Sequence, residues 1–280
     1  MSAAPAVVGV LGGGRMGTGI AHAFLLAGSR VHVVERDDAT ADAAADRIRA
    51  DLDRSAARGK QVPDTGALTV GADPAAFADA DLVVEAVPED RALKAEVLGR
   101  IEAAVADDAV VASNTSSISI DALAAAMRAP ERFLGLHFFA PVPASALVEI
   151  VRGAETAVHI VERAKDWVEA IGKTAVVVRD SPGFASSRLG VALGLEAIRM
   201  LEEGVASAED IDHAMELGYR HPVGPLRTTD LVGLDVRLAI AEELERSLGA
   251  RFAPPALLRR WVAEGRLGRK TGRGFYEWSE

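Results

Sequence analysis

The chain has 280 residues, a formal charge of −10 and 49% hydrophobic residues. That length suits about two domains, and the acidic balance excludes nucleic acid as the main partner, because a phosphate backbone needs a basic face. The chain has no cysteine, which excludes disulfides, thiolate nucleophiles and cysteine metal sites. Its six histidines lack metal-ligand spacing, so no metal is expected. There is no signal-peptide pattern and no run of about 18 apolar residues, so the expectation is a cytoplasmic protein without a membrane partner.

Residues 6–11 are a continuous apolar run rich in valine, which fits a strand buried on both faces of a parallel sheet. Residues 15–27 have helical periodicity, and Gly28 closes them. A second short β-branched run spans 31–35, and an alanine-rich charged helix spans 38–58. Further strands are expected at 82–87, 110–113, 133–139, 147–151 and 175–178, with helices at 93–105, 120–127 and 155–171 between them. Strands alternating with helices imply βαβ units. Beyond Asp180-Ser181-Pro182-Gly183 strand signals almost vanish, and helices are expected at 184–203, 232–248 and 255–264. Ser207-Ala208-Glu209-Asp210 reads as a capping box that opens one more. The expected boundary is therefore near Pro182: an α/β domain over 1–182, then an all-α domain over 183–280.

The first turn carries Gly12-Gly13-Gly14-Arg15-Met16-Gly17, a GxGxxG pattern between a strand and a helix. Gly12 permits the tight turn, Gly14 lets a pyrophosphate approach the backbone, and Gly17 lets helix and strand pack closely. The pyrophosphate would meet the helix N-terminus. Glu35 ends the next strand, 18 residues after Gly17 (35 − 17), near the ~20 expected for the acid that binds the adenosine ribose. Its carboxylate would repel a 2′-phosphate. This reads as a Rossmann-type domain taking NAD, with NADP kept open by the adjacent Arg36.

Three polar segments then begin at or follow strand ends: Glu85 to Glu89 with Lys94, Ser113 to Ser117, and His137 with Glu149. In open α/β sheets ligands collect at the carboxyl ends of strands. An imidazole whose ordinary pKa is about 6.5 can pass a proton near neutral pH, and a carboxylate could fix its tautomer. Taken alone, His137 reads as readily as a core histidine. A Ser116–His137–Glu149 hydrolase triad ranks low, because the serine lacks a GxSxG elbow and the glycine turn would go unused.

Seven segments in order resemble the short 3-hydroxyacyl-CoA dehydrogenases, of the 3-hydroxybutyryl-CoA dehydrogenase type. They are GGGRMGTGIA, EAVPEDRALK, SNTSSISI, GLHFFAPVPASALVEI, SPGFASSRL, HPVGPLRTTDLVGLD and LGRKTGRGFYEW. The resemblance implies NAD-dependent oxidation of a 3-hydroxyacyl thioester, or the reverse. His137 would take the 3-hydroxyl proton, Glu149 would hold His137, and Ser116 would bond the substrate oxygen. Asn114 would position nicotinamide or substrate. Met16, Glu89 and Lys94 join the glycines and Glu35 on the cofactor side, while Ser187, Arg54, Arg58 and Lys60 fall on the substrate side. The three basic residues would meet CoA phosphates or an acidic acyl-carrier protein. A homodimer through the helical half is also implied.

Three positions depart from the family pattern. Ala140 stands where HFFNP has asparagine, Ser187 replaces a second asparagine, and Ser145 replaces methionine. Losing polar partners near a reacting centre is worth up to a few kcal/mol. The departures favour a changed acyl group or carrier. Alternatives are the same chemistry on a carrier-protein thioester or free hydroxy acid, and a non-catalytic dinucleotide-binding scaffold.

Overall fold

The apolar VVGVL run forms strand β1, Val7–Leu11, and all five residues are buried. A computed structural model describes residues 3–279 of the chain, and their contacts divide it between Ser181 and Pro182. The first unit continues with α1 (Arg15–Leu26), β2 (Arg30–Val34), α2 (Asp38–Ala57), β3 (Leu68–Gly71) and β4 (Leu82–Glu85). Next come α3 (Arg91–Ala104), β5 (Val110–Ser113), α4 (Ile120–Ala124), β6 (Phe133–Phe138), β7 (Leu147–Arg152), α5 (Val158–Ala170) and β8 (Thr174–Arg179).

The eight strands are ordered β3-β2-β1-β4-β5-β6-β7-β8. Every pairing is parallel except β6 with β7. The order reverses between β1 and β4, which opens a crevice at their carboxyl ends. Parallel strands need helical crossovers, and the helices bury both faces. That explains why β1, β4, β5 and β6, buried throughout, read as apolar runs. On one face, Ile20, Phe24 and Leu25 of α1 join Leu134 and Phe138 of β6 and Trp167 of α5 in one core. The rings of Phe24 and Phe138 meet edge to face, 6.5 Å between centroids.

β3 escaped the sequence reading. It has four residues and none is buried, so neither an apolar run nor an alternation marks it. The strand expected over 31–35 stops at Val34, which places Glu35 just beyond it.

The second unit holds α6 (Ser186–Glu202), α7 (Ala208–Tyr219), α8 (Pro225–Val232), α9 (Leu234–Leu248) and α10 (Ala256–Ala263). Its core includes Leu195, Ile198, Leu226, Leu234, Ala241 and Leu258. Ser207 caps α7 as expected, accepting from the Asp210 N–H at 3.1 Å. α8 was also missed. Pro225 opens it, as proline does at a first helical position, and Gly233 at φ 105° separates it from α9, where the sequence suggested one helix from 232. Two buried carboxylates fasten the last segment. Asp230 accepts from the N–H groups of Phe275 and Tyr276 at 2.8 and 2.9 Å and from Trp278 Nε1 at 2.8 Å. Asp212 accepts from the Tyr276 hydroxyl at 2.7 Å. Among the described residues no helix is long and apolar enough to cross a membrane.

Replacing Phe24 by alanine removes a ring that is 1% exposed and leaves a cavity beneath β6. Unfolding in denaturant is expected to show a loss of about 3–5 kcal/mol, and a loss below about 1 kcal/mol would contradict this packing.

Candidate active site

The glycine turn is shaped by sterics. Gly12 has φ 99°, and a Cβ there would lie 2.9 Å from the Ala86 carbonyl oxygen. A Cβ at Gly17 would lie 1.8 Å from the Gly12 carbonyl oxygen. Gly14 is different, because a Cβ there meets nothing within 4 Å. Its bareness keeps open space in front of the α1 N-terminus. α1 also has no side-chain cap and no acid in its first turn, whereas Asp37, Asp90 and Ser119 cap α2, α3 and α4. An uncapped N-terminus keeps its N–H groups available for an anion. Glu35 sits beside the turn, and its Oε1 accepts from the Gly13 N–H at 2.7 Å. Arg36 turns away to Asp37, with Nε 3.1 Å from Oδ2.

A second cluster ties the ends of β4 and β5. Glu85 is fully buried. Its Oε1 accepts from Lys94 Nζ and the Val87 N–H, both at 2.7 Å, and its Oε2 from Ser113 Oγ at 2.6 Å. Lys94 is 1% exposed and also reaches Glu89 Oε2 at 3.3 Å. Glu89 Oε1 accepts from Thr115 Oγ1 at 2.6 Å, from Ser117 Oγ at 2.9 Å, and from the N–H groups of Ser116 and Ser117 at 3.0 Å each. Burial pushes the Glu89 carboxyl up, but the bonds from Thr115, Ser116 and Ser117 and the charge of Lys94 outweigh it and hold it below the usual range. Lys94, expected on the cofactor side, directs its ammonium into the protein. Glu85 was not assigned a role from sequence, although a carboxylate closing an apolar strand nine residues before a lysine was a usable signal.

The third cluster follows from the one reversed strand. Antiparallel register sets His137 opposite Glu149, and directly opposed residues share one face of a sheet. The ring is 5% exposed, Glu149 is fully buried, and His137 Nδ1 lies 2.8 Å from Glu149 Oε2. An ionised carboxylate only accepts, so Nδ1 carries the proton and the neutral ring keeps its lone pair at Nε2. Asn114 joins the cluster through Oδ1, which accepts from the Phe138 N–H at 2.9 Å. Its own N–H donates to the Glu85 carbonyl at 2.8 Å. The carboxyl ends of β4, β5 and β6 are thereby linked in a row.

The turn between β6 and β7 carries Ala140, which is exposed. With Met16 and Val142 it lines a cavity of about 370 Å³ whose cations are Arg15, Arg47 and Arg54. Arg54 pairs with Asp51, and Arg47 Nη2 donates to the Gly13 carbonyl at 3.0 Å. Arg47 and Arg15 were not singled out from sequence. Lys60 lines a neighbouring cavity of about 360 Å³ with His22 and Lys173. Arg58 is the exposed C-cap of α2 and lines neither cavity. Lys173 donates to the carbonyls of Val142 and Ser145 and so holds the turn. Burial, then the charge of Lys60, push its ammonium below the ordinary lysine value. Ser187 lies in the first turn of α6, in the second unit. Among the described residues no group of three metal-ligating side chains gathers.

Comparison with known proteins matches both units. The family model for the NAD binding domain of 3-hydroxyacyl-CoA dehydrogenase covers residues 7–181, and that for the C-terminal domain of the same family covers 183–278. The chain is 44% identical to a 3-hydroxybutyryl-CoA dehydrogenase of Mycobacterium tuberculosis, across 99% of each chain. It is 38% identical over 286 residues to the mitochondrial hydroxyacyl-coenzyme A dehydrogenase of Sus scrofa, covering 97% of this chain and 90% of that one. The crystal structure of (S)-3-hydroxybutyryl-CoA dehydrogenase from Ralstonia eutropha superposes with a TM-score of 0.93 at 38% identity, over 99% of this chain and 100% of that one.

Gly14 and Gly17 make a paired test. Gly14→Ala is expected to leave the melting temperature within about 2 °C of the wild type, because its methyl meets no protein atom, while NADH affinity in a fluorescence titration falls at least about tenfold. Gly17→Ala drives a methyl into the Gly12 carbonyl and should lower both. Equal losses of stability for the two variants would contradict the assignment of Gly14 to a ligand.

Proposed function

The chain belongs to the 3-hydroxyacyl-CoA dehydrogenases, and on that premise we propose that it interconverts a short 3-hydroxyacyl thioester of coenzyme A and its 3-oxo form, with His137 as the proton-transferring group. NAD, when bound, supplies the hydride acceptor. Three features of this chain fit it: the uncapped α1 N-terminus, the open space at Gly14 and the carboxylate of Glu35 past the end of β2. Glu35 suits a ribose diol, and Arg36 is turned toward Asp37.

The buried His137–Glu149 pair carries this reading. In the oxidative direction the 3-hydroxyl proton goes to His137 Nε2, and the C–H electron pair leaves C3 with its hydrogen as hydride. The C–O bond becomes a carbonyl. Glu149 keeps the ring oriented and stabilises the imidazolium, as a buried carboxylate does for a catalytic histidine. Ser116, held through its N–H by Glu89, would bond the substrate oxygen. Asn114 fixes the strand end beside His137 through the Phe138 N–H. Glu89 and Lys94 act first by holding the Ser116 loop, and Glu89, with its side chain 36% exposed, is the member of the pair open to a cofactor.

The carrier is assigned to CoA, with Arg15, Arg47 and Arg54 offering guanidinium groups to its phosphates. A carrier-protein thioester is the competing substrate, and a panel of both carriers decides between them. The exposed Leu189, Leu217 and Tyr219 of the helical unit support an isologous dimer through that unit. Sedimentation at micromolar concentration is expected to give a dimer, and a monomer alone would refute it.

His137→Ala is expected to bind NADH with near wild-type affinity while acetoacetyl-CoA reduction falls by about 10²–10⁴ in kcat. Turnover within a factor of about three of the wild type would remove His137 from the chemistry.

A further inference from the structure

Helix α1 packs on α2, and the contact has a polar pair at its centre that the proposed chemistry does not use. His22 of α1 is 3% exposed and Ser55 of α2 is also buried. His22 Nε2 lies 2.9 Å from Ser55 Oγ. A hydroxyl can donate or accept, so it satisfies Nε2 in either neutral tautomer. Nδ1 is buried with no hydrogen-bond partner. Protonation would leave an N–H without an acceptor and a charge held away from water, and both are costly. The charges around the ring are mostly of the same sign. His22 lines the 360 Å³ cavity with Lys60, which follows α2, and Lys173, which precedes β8, while the β6–β7 turn adds only Pro143. From α2, Arg54 and Asp51 face the ring, and these two pair with each other. Burial, helped by Lys60 and Arg54, pushes the imidazole below its ordinary value against the opposing effect of Asp51. The position of α2 matters to the dinucleotide turn. A Cβ at Gly13 would lie 2.5 Å from the Ala44 Cβ, and Arg47 Nη2 donates to the Gly13 carbonyl at 3.0 Å.

We infer that the His22–Ser55 contact is a proton-sensitive latch: the neutral imidazole holds α2 against α1, and protonation releases α2 and loosens the dinucleotide turn. The latch goes beyond the reaction proposed above and needs neither His137 nor a substrate. The unfolded chain accepts a proton on this ring near pH 6.5, about the ordinary value, while the folded chain resists it. The latch therefore contributes stability above that pH, and the contribution is lost as the pH falls below it.

The test compares the wild type with His22→Gln between about pH 7.5 and about pH 5.5. A glutamine amide can still bond the Ser55 hydroxyl and has no proton to gain. The remaining histidines and carboxylates are common to both proteins and cancel. Across that range the melting temperature of the wild type should fall at least about 2 °C further than that of the variant. The affinity for NAD, measured by calorimetry, should fall at least about threefold further in the wild type. A third measurement needs no variant and decides the matter if His22→Gln does not fold. In the full-length wild type the ring resonances of His22, assigned through its own backbone, should titrate with a midpoint below about 6.5. Parallel melting curves for the two proteins overturn the inference, as does a His22 midpoint at or above about 6.5. An equal fall of NAD affinity in both proteins also overturns it, because the dinucleotide turn would then not answer to the latch.

Discussion

Glu85 has no contact with water, yet the loops after both β4 and β5 hang from it. Its two oxygens hold Lys94, the Val87 N–H and Ser113. Lys94 reaches on to Glu89, and Glu89 gathers the loop of Thr115, Ser116 and Ser117. A buried ion pair is a weak source of net stability, because desolvating two charges offsets most of their attraction. Breaking such a pair is another matter, with a cost of about 3–5 kcal/mol. The arrangement therefore specifies geometry more than it adds stability. The loops after β4 and β5 cannot shift independently while the carboxylate stays satisfied.

The reversal of β7 plays the corresponding part on the other side. A parallel neighbour needs a crossover of a dozen or more residues. Here β6 ends at Phe138 and β7 begins at Leu147, which is room for a turn but not for a helix. The antiparallel register then puts Glu149 opposite His137. Lys173 fastens the connecting turn from the start of β8. The His137–Glu149 pair is thus fixed by strand register.

Much of this was legible in the sequence. Parallel strands buried on both faces leave long apolar runs, so β1, β4, β5 and β6 stood out, and the glycine turn advertised itself by spacing. His137 and Glu149 were paired as an imidazole and a carboxylate on adjacent segments, and the eight-residue link between their strands already argued for antiparallel neighbours. β3 and α8 were not legible. β3 is short and half-exposed, and α8 begins within a proline- and glycine-rich stretch that reads as loop. Arg15 and Arg47 were missed for a different reason, since only the packing of α2 against the glycine turn brings them to one cavity.

The cations beside the glycine turn are guanidinium groups. Of the 31 lysines and arginines in the chain, only Lys60, Lys94, Lys165, Lys173 and Lys270 are amines. A thioester is an acyl donor, and a deprotonated amine or a thiolate attacks it. Guanidinium groups stay protonated and inert at neutral pH, and this chain has no thiol at all. Lys94 is enclosed by carboxylates. Lys173, whose ammonium is pushed toward the neutral form, is occupied by two carbonyls. The cations of the 370 Å³ cavity are thus arginines, groups that carry charge toward an activated acyl compound without competing as nucleophiles for its acyl carbon.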